Sequence, residues 1–379
     1  MQSVSRVPTA DEWGRFDAYA KRVRRLIWTT SECERLDSAV GLRLLDILKG
    51  RYNEHAAFPR LKALTIDMKS ILKSEHWTVF IHSGLEKITT STRSFEVFPS
   101  TTSLSKGSSV VPYLSSSAAC ITSILFDSSV LFSQETFRVV AQLPGLRRLA
   151  LVVDTSSHNF AELPNFNSPA FPALRSLRLA LARSLVATAD GCSLTTSFLK
   201  LISSRALRTL DIRHFDAALT QESLCEMLQT ITQFSGTLKR CSLDICSWWS
   251  AEEVFRDNQR TSAIRLSAIL PHLLQLAGTM QDLELWFVPL DVNRRDLLAL
   301  LRVYPDARSL VLGIQHPNTR SNLCIDDLAD VARLCPQLRE LGLRVRVTEA
   351  ADDAVNGATD TPVTYFDATT DHLPDVAQR

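Results

Sequence analysis

Apolar residues recur along this chain in a short unit, L-x-x-L-x-L, whose first, fourth and sixth positions are leucine or a close substitute. Four copies are nearly interchangeable. FPRLKALTI carries Leu61, Leu64 and Ile66; LPGLRRLAL carries Leu146, Leu149 and Leu151; FPALRSLRL carries Leu174, Leu177 and Leu179; CPQLRELGL carries Leu338, Leu341 and Leu343. Seven looser copies fill the gaps, starting at Val23, Leu85, Ile121, Leu207, Leu238, Met280 and Ala307. Apolar residues two apart at the end of each unit stand on one face of a pleated strand. The pattern therefore gives eleven candidate units and predicts a solenoid of about ten strands.

Between the units the apolar spacing changes to three and four residues, as in SFLKLISS (Phe198, Leu201, Ile202), SLCEMLQTI (Leu224, Leu228, Ile231), DLLALLRVYP and IDDLADVARLCP. That period belongs to helices. Ser250 followed by Glu253 has capping-box spacing, and Asp291 and Thr220 are candidate caps of other helices. Pro144, Pro172, Pro305 and Pro336 each precede a strand unit, where a proline ends the helix without removing a ladder hydrogen bond.

One such unit cannot bury its apolar stripe alone, so neighbours must stack. The expected fold class is α/β: a leucine-rich-repeat solenoid, the right-handed α/β horseshoe, with a concave parallel sheet. Successive units start 38, 24, 36, 25, 28, 33, 31, 42, 27 and 31 residues apart. Many of these steps exceed the roughly 20 to 29 residues of such repeats, so longer helices or inserted loops are expected. A doubly wound sheet would call for a Gly-rich phosphate turn, and the chain has 12 glycines and no G-x-G-x-x-G. The expected organisation is an N-terminal segment at 1–22, the solenoid over 23–347, and an acidic disordered tail over 348–379. Residues 349–379 hold seven acidic residues against one arginine. Residues 92–119 are Ser-rich and read as a loop, and residues 246–272, with Trp248 and Trp249, as an insertion with a charged helix.

Composition narrows the function. A net charge of +1, from 42 basic and 41 acidic residues, creates no global field for nucleic acid or an anionic membrane, so neither is an expected partner. The N-terminus lacks a signal-peptide core, and no run approaches the roughly 18 apolar residues of a membrane span. A soluble cytoplasmic or nuclear protein, and a monomer, is expected. The eight cysteines form no C-x-x-C pair and read as reduced, mostly buried thiols. No H-E-x-x-H, G-x-S-x-G, Walker or EF-hand spacing occurs, and SKGSS at 105–109 is not a phosphate loop. His76 and His82 flank WTVFI at a spacing that suits no common ligand pair. No catalytic, metal or cofactor site is expected, and the chain reads as a non-enzyme. KRVRR at 21–25 reads as solvated positions of the first strand rather than a nuclear address.

The residues between and just after the last two leucines of each unit face away from the core, where repeat sheets meet their partners. Among them are Arg148, Arg178, Arg213 and Arg240, followed by Asp282, Glu284 and Trp286. These seven are the candidate binding residues. The arginines suit an acidic or phosphorylated segment, with Trp286 as an aromatic anchor; ordinary solvated charge is the competing reading.

Several phrases together carry a family resemblance: W-x-R-F-D-x-Y-A-x-R-V-R from Trp13 to Arg24, FPRLKALTID, IHSGLEKIT, FPALRSLRL, ISSRALRTLDI and TLKRCSLDI. They resemble the leucine-rich-repeat region of the F-box proteins of basidiomycete fungi, over about residues 11–345. The resemblance implies a ubiquitin-ligase substrate receptor whose repeats hold a protein target while a preceding F-box docks a Skp-type adaptor. Only twelve residues precede Trp13 and none forms an L-P-x-E-type F-box helix, so the adaptor is expected only if an F-box lies upstream. A regulatory or structural repeat protein unrelated to ubiquitin is the alternative.

Overall fold

A strand forms at every one of the eleven repeat units and begins two residues into it, because the unit's first leucine is spent in the preceding turn. In the computed structural model the described residues are 8–28, 38–52, 55–67, 79–91, 114, 119–126, 134–154, 169–182, 191–214, 219–245, 263–314, 319–345 and 366–367. They divide into two compact units: Met1–Ala182 with Leu201–Ser204, and Arg183–Lys200 with Arg205–Arg379.

The first unit contains α1 (Ala10–Ala20), β1 (Arg25–Trp28), α2 (Ser38–Arg51), β2 (Ala63–Asp67), β3 (Lys87–Ser91), β4 (Ser123–Phe126), α3 (Gln134–Ala141), β5 (Arg148–Asp154) and β6 (Ser176–Ala182). Its strands pair in parallel and in sequence order, β1 through β6. The residue just before each strand sets the register. Lys62 N–H donates to Arg24 O at 2.8 Å, Glu86 to Lys62 and Thr122 to Glu86 at 2.9 Å, and Arg147 to Thr122 and Arg175 to Arg147 at 2.8 Å. Equivalent positions of successive units are thereby stacked. The inward row of Leu64, Ile88, Ile124, Leu149 and Leu177 is buried, as are Leu61, Leu85, Ile121, Leu146 and Leu174 beneath it.

α1 is held by local chemistry. The Thr9 hydroxyl accepts from Glu12 N–H, and the Glu12 carboxylate accepts from Thr9 N–H at 2.8 Å, a capping box that satisfies two amides. Trp13 is buried and lies under the Arg51 guanidinium, 4.5 Å from ring centroid to carbon. Asp17 accepts from Arg51 at 2.9 Å and from the Tyr52 hydroxyl, which together hold its carboxyl below the ordinary range. Phe16 bridges to Phe58, which stacks on Phe80 at 6.0 Å.

The second unit contains α4 (Gly191–Leu201, whose last residue falls in the first unit), β7 (Thr209–His214), α5 (Gln221–Ile231), β8 (Arg240–Ile245), β9 (Ile264–Arg265), α6 (Leu266–Leu276) and β10 (Asp282–Trp286). It continues with β11 (Leu290–Val292), α7 (Arg294–Val303), β12 (Ser309–Leu312), β13 (Arg320–Ser321), α8 (Ile325–Leu334), β14 (Glu340–Gly342) and β15 (Phe366–Asp367). The main ladder runs β7-β8-β10-β12-β14, all parallel. At its edge β15 pairs antiparallel with β14. A second, short parallel ladder, β9-β11-β13, lies just ahead of α6, α7 and α8 in the chain. The helices α5 to α8 pack against one another in sequence order and bury Leu224, Leu228, Leu273, Leu297, Leu301 and Val331.

Thr220 caps α5 as its spacing predicts, its hydroxyl accepting from Ser223 N–H at 3.1 Å. Asp291 does not cap a helix. It lies in β11, and α7 is capped two residues later by Asn293, whose side-chain oxygen accepts from Asp296 N–H at 2.9 Å. The four prolines that precede strand units all stand in turns. Gly313 ends β12 with φ of +65°, and an added Cβ would lie 2.4 Å from Val288 O, so only glycine fits. The Ser250–Glu253 spacing, the Trp248–Trp249 pair, His76, SKGSS, most of 92–119 and all of the tail except β15 lie outside the described residues. Both units are mixed α/β structures built on parallel strands. No helix among the described residues is long and apolar enough to cross a membrane.

Candidate functional site

Since alternate strand residues point to opposite faces, burying the leucines leaves the residues between them on the outward face. Parallel pairing then aligns those residues into rows. In the first unit one row is Arg25, Ala63, Lys87, Ser123, Arg148 and Ser176, and the next is Ile27, Thr65, Thr89, Leu125, Ala150 and Arg178. These two rows hold four cations and no anion. Arg25, Lys87, Arg148 and Arg178 are all exposed. Arg148 and Arg178 sit on adjacent strands one row apart, diagonal neighbours on a cationic face.

The second unit has the opposite character. Its first outward row is Thr209, Arg240, Asp282, Ser309 and Glu340; its second is Asp211, Ser242, Glu284, Val311 and Gly342; Arg213, Asp244 and Trp286 begin a third. These rows hold five carboxylates against two guanidinium groups, and both guanidinium groups are already engaged. Arg213 pairs with Asp211 at 3.4 Å. Arg240 reaches both oxygens of Glu284, at 3.0 and 3.3 Å.

Glu284 is the centre of this face, yet it is only 5% exposed. Besides Arg240 it accepts from the Ser242 hydroxyl at 3.0 Å and from the Trp286 indole N–H at 3.2 Å. A buried carboxylate needs such partners, since desolvation is repaid only when its lone pairs are met. Four of the seven residues singled out from the sequence are thus brought together as Arg240, Asp282, Glu284 and Trp286. Their roles differ from the expected ones, because Glu284 is a structural hub, Arg240 is half neutralised by it, and Trp286 turns its polar edge inward. Arg213 stands beside this group on β7, while Arg148 and Arg178 belong to the face of the first unit.

Around the hub the remaining carboxyls are strained electrostatically. Burial pushes the Asp244 carboxyl above its ordinary range, with Arg213 opposing and Asp211 reinforcing. Burial likewise raises Asp282; Arg240 and Arg308 oppose that shift, while Glu284 and Glu340 add to it. Asp244 Oδ1 and Ser309 Oγ are buried and have no hydrogen-bond partner among the described residues. Val311, on the same face, is fully buried and fills the space that Gly342 leaves open, its Cγ1 lying 3.0 Å from where a Cβ would stand.

A third feature escaped the pattern reading. His214, at the end of β7, is buried between Thr195 Oγ1 at 2.8 Å from Nε2 and Cys192 Sγ at 3.9 Å from Nδ1, both on α4. All three side chains are under 5% exposed, which makes this a polar contact tying α4 to the sheet. The Cys241 thiol is pushed up to about 12 by complete burial, and Cys335 donates to Tyr304 O at 3.2 Å. Among the described residues no group of three or more His, Cys, Asp or Glu side chains is placed to hold a metal ion. No protein-family model matches the chain, and no curated protein sequence matches it significantly.

Proposed function

We propose that the chain is a non-catalytic, protein-binding leucine-rich-repeat scaffold, the substrate-recognition part of an F-box-type ubiquitin-ligase receptor. What carries the reading is the coincidence of eleven L-x-x-L-x-L units with eleven parallel strands, each presenting its inter-leucine residues on the outward face. A fold that repeats one unit this way invests its sequence in a long surface rather than in a pocket. The ubiquitin link rests on the resemblance of the repeat phrases to basidiomycete F-box proteins, and the adaptor enters only through an F-box upstream.

The two faces suggest partner segments of different charge. The outward rows of the first unit, with Arg25, Lys87, Arg148 and Arg178, suit an acidic or phosphorylated segment through charge-assisted hydrogen bonds. The test is capture by the immobilised chain from cell extract, followed by identification of what is retained. A saturable protein partner, competed by soluble chain and lost with Arg148→Glu/Arg178→Glu, is expected, and it should accumulate in cells that lack the gene. A folded chain that retains nothing above a control column would end the scaffold reading. A partner whose abundance ignores the deletion would remove the ubiquitin link alone.

A further inference from the structure

We infer that the outward face of the second unit receives a cationic side chain, a lysine or arginine of a partner segment, between Asp282 and Glu340 over Ser309. The inference deepens the scaffold reading and rests on it. Asp282, Ser309 and Glu340 occupy one row on the consecutive strands β10, β12 and β14. With strands about 4.8 Å apart, the two acidic residues stand roughly 10 Å apart at the backbone, with the serine midway. An ammonium or guanidinium group fits that span.

Two observations point to such a guest. First, Ser309 is only 4% exposed, and its hydroxyl finds no partner among the described residues. Buried hydroxyls are ordinarily satisfied, so this one marks a missing neighbour. Second, the face carries five carboxylates and two arginines, and after the Arg213–Asp211 and Arg240–Glu284 pairs the surplus is Asp244, Asp282 and Glu340. Burial, with Glu284 and Glu340, disfavours charge on Asp282 in spite of the opposing Arg240 and Arg308, and an incoming cation would add to that opposition. A lysine ammonium brings three donors, one for each carboxylate and one for Ser309 Oγ.

The chain's own C-terminal segment is a poor occupant by charge. Residues 349–379 carry seven acidic residues and one arginine, and β15 within them sets Asp367 in register with Glu340. A partner from another protein is the complement the face requires.

The probe is fluorescein-labelled hexalysine, titrated with the full chain and followed by anisotropy, with acetylated hexalysine and hexaglutamate in parallel. Hexalysine should bind with an affinity that falls as salt rises, and neither control peptide should bind. Asp282→Asn/Glu340→Gln should weaken binding by about tenfold or more, whereas Glu222→Gln/Asp326→Asn, the same charge change on exposed helix positions, should leave it within about twofold. Ser309→Ala, which keeps every charge, should weaken binding measurably and covers the case in which the double variant does not fold. Absence of hexalysine binding, or equal losses in both double variants, overturns the inference. If that happens while the immobilised chain still captures its protein partner, only the cationic chemistry is wrong; if capture fails too, the scaffold reading falls with it.

Discussion

At the residue scale, position within the repeat decides what a side chain can do. Leu177 and Arg178 are neighbours in β6, yet the leucine is fully buried and the arginine exposed, as are Leu149 and Arg148 on β5. Replacing Leu177 by Ala should cost roughly 2–5 kcal/mol, because the cavity is only partly closed by relaxation. Arg148→Ala should stay within about 0.5 kcal/mol, the range of surface substitutions away from special features. Denaturant midpoints of the two variants check this, and similar losses in both would mean that the inward and outward assignments are wrong. The same alternation made the seven candidate residues readable from the sequence. Their partners were not readable, because Arg240 and Glu284 are 44 residues apart and meet only once β8 and β10 are set side by side. Aligning the units would have supplied the signal: Arg240 and Glu284 hold the third and fifth positions of successive units, which parallel pairing makes diagonal neighbours.

At the scale of elements, the strands were legible and the short connections were not. Each main strand except β3, where Thr90 takes the sixth position, is announced by three apolar residues in fixed spacing, and within each compact unit the amide of the residue just before a strand locks onto the preceding repeat. The strands β9, β11 and β13 have two or three residues each, too few for any period to show. That is why Asp291 read as a helix cap: the sequence shows a polar residue ahead of an apolar run, but not that β11 occupies the intervening positions. Caps with reciprocal bonds are firmer. Thr220 serves α5 through Ser223 N–H, and its own amide donates to Ser223 Oγ at 3.2 Å. Thr220→Ala should therefore cost about 1 kcal/mol, while Thr220→Gly should cost only a few tenths. Faster amide exchange confined to the first turn of α5 in the alanine variant would locate the loss; unchanged exchange there would show that packing, not the cap, holds the helix end.

At the scale of the whole molecule, the net charge of +1 conceals a segregation that composition alone cannot reveal. The outward rows of the first unit are cationic and those of the second are acidic, and the carboxyls of the second leave their mark on stability against pH. Asp244 and Asp282 have carboxyls raised above the ordinary 3.8, chiefly by burial. A carboxyl that binds its proton more tightly in the folded state contributes stability that is complete below the unfolded value and is lost as pH rises through the folded one. Asp17 runs the other way. Its carboxyl is lowered, first by the Tyr52 hydroxyl, so its contribution is present above the unfolded value and is lost as pH falls through the folded one. Replacing Asp244 and Asp282 by asparagine therefore removes a penalty that exists only once they ionise. The variant and the wild type should melt together below about pH 3.8, and from there toward neutrality the variant should draw ahead by up to a few degrees, roughly 2–4 °C for each kcal/mol relieved. Asp17→Asn should show the reverse at lower pH, falling behind the wild type as pH rises from the lowered folded value to about 3.8 and keeping that deficit above it. Melts followed by circular dichroism across the acid range measure both differences. A variant of Asp244 and Asp282 that melts below the wild type at neutral pH would mean that these carboxylates are paired in the folded protein and that the acidic face of the second unit is already satisfied.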